Sequence, residues 1–100
     1  MSLNVFIVED QFIEANDLRL ILENAGHSVC GIAKSVDAAL NLLATVRPDI
    51  VLLDIFLKGP KTGIDLAPAL SEANIPFIYI SANSDPSTLD AAKTTRPDGF

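Results

Sequence analysis

Acidic side chains stand at the ends of two apolar runs in this 100-residue chain: Glu9 and Asp10 follow Leu3 to Val8, and Asp54 follows Ile50 to Leu53. A third run, Pro76 to Ile80, ends in the hydroxyl of Ser81. If these runs are neighbouring strands, their ends meet on one rim. Carboxylates crowded there repel one another and raise each other's pKa values unless a cation joins them. A hard divalent ion meets that need. Mg²⁺ takes oxygen ligands in octahedral geometry, uses one or two protein carboxylates, and fills its remaining positions with water and phosphate oxygens. The residues therefore point to a half-built site that awaits a phosphoryl group. Each also has a plainer reading: Glu9 and Asp10 as a solvated helix start that complements the helix dipole, and Ser81 as a strand-end hydroxyl. Asp54 resists such a reading, because an acid directly after four apolar residues sits where burial costs most.

The elements that must position these groups alternate along the chain. Leu3 to Val8 reads as a strand. Asp10 to Ala25 reads as a helix with Ala15, Leu18, Leu22 and Ala25 at helical spacing, closed by Gly26. Ser28 to Ala33 is a second strand. Ser35 can cap a second helix whose apolar face is Val36, Ala39, Leu40, Leu43 and Val46, ended by Pro48. Ile50 to Leu53 is a continuous β-rich run, as expected of a central strand covered on both faces. Ile64 to Ala73 reads as a helix in which Pro68 should lie near the first turn or else kink it. After the strand Pro76 to Ile80, Asp85 and Pro86 open a fourth helix, Arg96 and Pro97 end it, and Asp98-Gly99-Phe100 begins a fifth strand. Strands separated by single helices make an open, doubly wound α/β domain with a parallel sheet, whose ligands sit beyond the carboxyl ends of the strands.

Composition narrows the function. Apolar residues are 49% and charged residues 20% of the chain, the balance of a globular domain rather than a disordered one. A net charge of −6 opposes binding to nucleic acid backbones and anionic membranes. No apolar stretch approaches the roughly 18 residues of a membrane span, and the start Met1-Ser2-Leu3-Asn4 lacks the pattern of a secretory signal, so a cytoplasmic setting is expected. The lone Cys30 is expected in a buried strand without redox chemistry, and His27 in an exposed turn outside the site.

The pieces Val8-Glu9-Asp10, Arg47 through Asp54, Ile80-Ser81-Ala82 and Asp98-Gly99-Phe100 closely resemble, in order and spacing, the response-regulator receiver family of two-component signal transduction. The resemblance spans residues 1–100 as one domain. It implies the flavodoxin-like strand order 2-1-3-4-5, with strand five and the last helix truncated. It further implies that Asp54 is the phosphoacceptor and that Glu9, Asp10, Asp54 and the backbone carbonyl of Phe56 hold Mg²⁺. Ser81 would hydrogen-bond the phosphoryl group, with Ser81 and Phe100 as the switch pair. The implied donor is a sensor histidine kinase or phosphotransfer protein. A homodimer through the face of helix four and strand five is a further expectation. Such a domain is not an enzyme beyond assisting its own phosphorylation and dephosphorylation. The family's lysine after strand five has no counterpart here, since Lys93 falls in the fourth helix and Lys58 and Lys61 in the loop after Asp54; the chain reads as a piece of a longer protein.

Three rivals remain. A flavin or nucleotide site would want Gly, Ser or Thr after the first strand, where Glu9-Asp10-Gln11 repels phosphate. An aspartyl phosphatase would want a second acid two residues after Asp54, where Phe56 stands. A receiver-like interaction module that takes no phosphate would not need Glu9, Asp10, Asp54 and Ser81 together.

Overall fold

The computed structural model describes residues 2–57 and 60–80. Their elements are β1 (Asn4–Val8), α1 (Phe12–Asn24), β2 (Ser28–Ala33), α2 (Val36–Leu43), β3 (Ile50–Asp54), α3 (Gly63–Glu72) and β4 (Phe77–Ile80). The strands form one parallel sheet in the order β2-β1-β3-β4, the first four positions of the expected topology. Ser81, the fourth helix, the fifth strand, Phe100 and Lys58 lie outside the described residues.

Period-two alternation in the central strands divides the core between the two faces of the sheet. Val5 and Ile7 of β1 point with Ile50 and Leu52 of β3 toward Ala15, Leu18 and Leu22 of α1. Phe6 and Val8 point the other way, with Val51 and Leu53, toward Val36 and Ala39 of α2 and Leu66, Ala67 and Leu70 of α3. Phe77 and Tyr79 of β4 join that second layer, with their rings edge to face at 5.5 Å. β2 is an edge strand, and a register shift between Val5 and Phe6 leaves Cys30 without a partner in the ladder. Cys30 is consequently half-buried rather than buried, with its thiol donating to the Val5 carbonyl at 3.4 Å.

Helix ends follow local chemistry more closely than periodicity. α1 starts at Phe12 rather than Asp10, because the Glu9 carboxylate accepts the Gln11 N–H at 3.0 Å and holds Gln11 extended as the N-cap. It ends as expected at Gly26, whose φ of +92° lets the His27 N–H reach back to the Leu22 carbonyl at 2.9 Å. His27 is half-buried, not exposed, and its Nδ1 accepts the Leu3 N–H at 3.1 Å. α2 stops at Leu43, well before Pro48, where the Thr45 hydroxyl bonds the Leu42 carbonyl and competes with helical pairing. Of its expected apolar face Val36 and Ala39 are buried, and Leu40 is exposed. Pro68 lies in the interior of α3 rather than its first turn; it is exposed there and leaves the Ile64 carbonyl without its helical donor.

Ser35 caps α2 as the sequence indicates, its hydroxyl accepting the Ala38 N–H at 3.1 Å. Ser35→Ala is expected to cost about 1 kcal/mol. Thermal denaturation should register that as a fall in Tm of roughly 4–8 °C.

Candidate functional site

The register of the sheet builds the site. Val8 pairs with Leu53, so Glu9 and Asp54, each one residue farther on, emerge side by side at the carboxyl ends of β1 and β3 and on the same face. The Glu9 N–H donates to the Ala33 carbonyl at 2.9 Å, which ties this end of β1 to β2 as well. Asp10 follows directly, in the bend between β1 and the extended N-cap Gln11. Glu9, Asp10 and Asp54 can each offer one oxygen such that all three lie within 4.8 Å of one another.

Glu9 is the most telling of the three. Only 4% of its surface is exposed, and it is the only buried charged residue among the described residues. Burial pushes its carboxyl up to about 8, opposed by the Gln11 N–H and reinforced by the hydrogen-bonding contact and charge of Asp54 and by Asp10. With the chain's own groups alone, the site therefore stays protonated at Glu9 near neutral pH. A cation among the three oxygens would reverse that preference.

The donor set fits a hard divalent ion. Opposite ligands of an octahedral Mg²⁺ are about 4.2 Å apart, from bond lengths near 2.1 Å. Each pair of these oxygens is thus within a small side-chain adjustment of bridging distance. The described residues bring no lysine or arginine into an ion pair with the cluster: Arg19 bonds Glu23 and Asn16 on the surface of α1, and Lys61 pairs with Asp37. Beside Glu9, a cavity of about 310 Å³ opens between α1 and β2, lined also by Phe12, Arg19 and Lys34.

Asp54 is half-buried, and its Oδ1 accepts the Phe56 N–H at 3.2 Å. That bond closes a tight turn over Ile55, which is buried, and leaves the Phe56 ring exposed. The structure thus brings together Glu9, Asp10, Asp54 and Phe56 of the residues singled out in the sequence. Ile80, the last described residue of β4, pairs with Asp54, and Ser81 lies outside the described residues. Sequence reasoning missed the Gln11 amide that orients Glu9 and the glycine that packs under Asp54, since backbone donors and close approaches have no signature in residue type.

Comparison with known proteins agrees. Residues 5–100 match the family model described as response regulator receiver domain. Among curated relatives, the transcriptional regulatory protein MalR of Bacillus subtilis is 36% identical over 96 residues, covering 93% of this chain and 39% of that protein. The phyllosphere-induced regulator PhyR of Methylorubrum extorquens is 32% identical over 84 residues, covering 82% of this chain and 32% of its own length. The chain therefore spans about a third of the length of these relatives. Among solved structures, the signal receiver domain of a modulated diguanylate cyclase from Desulfovibrio desulfuricans superposes with a TM-score of 0.92 at 36% identity, covering all of this chain and 80% of the other.

Proposed function

The chain belongs to the response regulator receiver family, and from that premise we propose that Asp54 accepts a phosphoryl group in a Mg²⁺-dependent reaction and thereby switches a partner-binding surface. The observation that carries the reading is the register-locked cluster of buried Glu9 with half-buried Asp10 and Asp54 at the carboxyl edge of the sheet. Without a cation the crowded rim is relieved only by a proton on Glu9, and a divalent ion among the three oxygens would relieve it with all three acids ionised.

Glu9, Asp10, Asp54 and the Phe56 carbonyl would hold the ion. Mg²⁺ would supply neutralisation of charge on the phosphoryl oxygens. Asp54 is oriented by the Phe56 N–H at one oxygen and keeps the other for attack. That oxygen forms the new P–O bond as the bond from phosphorus to the donor breaks. With a phosphohistidine donor, the imidazole nitrogen leaves with the bonding pair and takes up a proton from solvent. The product is an acyl phosphate that carries about one to two added negative charges. Ser81 would hydrogen-bond the new oxygens, and Phe100 would follow it inward. A sensor histidine kinase or phosphotransfer protein is the donor that this chemistry suits. The domain acts as a substrate and switch in a cytoplasmic signalling route rather than as an enzyme on other molecules, and a homodimer through helix four and strand five is one output of the switch.

The test is to incubate the protein with a small acyl-phosphate donor and record its intact mass. A gain of about 80 Da, one phosphoryl group, is expected with Mg²⁺ and not with a chelator, and it should disappear on mild alkaline treatment. A protein that binds partners without taking phosphate would show no gain under either condition.

A further inference from the structure

The first residue of α3 lies against the peptide that carries Asp54. Gly63 is buried, and its N–H donates to the Ile55 carbonyl at 2.7 Å. A Cβ built on Gly63 would overlap the Asp54 carbonyl oxygen and come within 3.0 Å of the Asp54 carbonyl carbon and 3.1 Å of the Ile55 Cα. All three are backbone atoms, so no side chain can swing aside to make room. The backbone conformation at Gly63 does not demand glycine; only Gly26 has a positive φ among the glycines of the described residues. Space alone fixes the residue type.

The turn Asp54-Ile55-Phe56 is thus held from two sides. On one side the Phe56 N–H bonds the Asp54 carboxylate at 3.2 Å. On the other, Gly63 packs on the Asp54 carbonyl and bonds the Ile55 carbonyl. α3 is itself fixed at this end by a reciprocal cap, with the Thr62 N–H donating to Asp65 Oδ2 at 2.7 Å. Its buried Leu66, Ala67 and Leu70 then anchor it to the sheet.

From this close approach we infer that Gly63 is a positioning residue for the site: it sets the Asp54 carboxylate relative to the Phe56 backbone, so that both can serve one metal ion. The inference rests on the site reading given above and adds a residue that touches neither metal nor phosphoryl group. Any side chain at 63 must push α3 and the end of β3 apart by on the order of 1 Å to restore van der Waals separation. Mg²⁺ demands near-ideal octahedral geometry and tolerates little displacement of its ligands.

The experiment measures Mg²⁺ binding by calorimetry on folded protein, separately from phosphorylation. Gly63→Ala should weaken Mg²⁺ binding roughly 10- to 100-fold, the range typical when a group that orients metal ligands is altered. Ser35→Ala removes the cap of α2 and touches neither α3 nor Asp54. It should lower Tm and leave the Mg²⁺ Kd within about twofold of wild type. If both variants lose stability and both keep the wild-type Kd, Gly63 is merely structural and the inference is overturned. Hydrogen exchange on the unaltered protein decides the matter even if Gly63→Ala does not fold. Mg²⁺ should slow exchange at the Phe56 and Gly63 amides together, and protection of Phe56 without Gly63 would overturn the inference. Failure of the wild-type chain to bind Mg²⁺ at all would sink the site reading and this inference with it, an outcome distinct from equal binding by wild type and Gly63→Ala.

Discussion

Asp54→Asn protein, given an acyl-phosphate donor and Mg²⁺, will keep its unmodified mass. The substitution is close to isosteric. Its amide oxygen can still accept the Phe56 N–H that Asp54 Oδ1 now accepts, so the turn over Ile55 should survive. What is lost is the nucleophile: an amide oxygen does not form a stable acyl phosphate. The same change removes one of three crowded negative charges, so the metal-free variant should denature no earlier than wild type near pH 8. Loss of modification together with unimpaired stability is the expected pair of results. A persisting gain of about 80 Da in this variant would move phosphorylation to another residue and overturn the assignment.

Stability without metal should fall as pH rises from about 5 to about 8, and Mg²⁺ should abolish that fall. Glu9 is raised to about 8 in the folded protein, by burial first and by its acidic neighbours second, against an unfolded value near 4.3. Between those values the folded state binds the extra proton, so the slope of unfolding free energy with pH is negative. The penalty is absent below the unfolded value, grows through the window, and is complete above the folded value. A shift of this size corresponds to a penalty on the order of 3–5 kcal/mol. That should lower Tm by at least about 10 °C across the window. Bound Mg²⁺ favours the ionised carboxylate, so it should raise Tm most at the alkaline end, with proton release on binding near neutral pH. Glu9→Gln, which can still accept the Gln11 N–H, should flatten the metal-free profile. A flat wild-type profile without metal would show that Glu9 does not carry its proton into the folded state.

The alternating fold and the identity of the acids were legible in the chain because both depend on local pattern. Ile50 to Leu53 has the pattern of a central strand covered on both faces, and the Asp that follows then stands at its exit. Helix ends were less legible. Helical spacing of the apolar residues allows α1 to run from Asp10, yet the Glu9 carboxylate captures the Gln11 amide and delays the helix to Phe12. Leu40 belongs to the expected apolar face of α2, yet within that helix only Val36 and Ala39 are buried and Leu40 is exposed.

The order of residues by itself determined which groups are available for chemistry and that they fall at the ends of strands, since side-chain period and charge are properties of a segment. Tertiary structure decided the rest. The pairing of Val8 with Leu53 sets Glu9 beside Asp54, the depth of that rim raises the Glu9 carboxyl, and the seat of Gly63 on the Asp54 peptide leaves no room for a side chain. The first joins strands 45 residues apart in sequence, and all three rest on distances that are fixed only when the sheet and its helices pack.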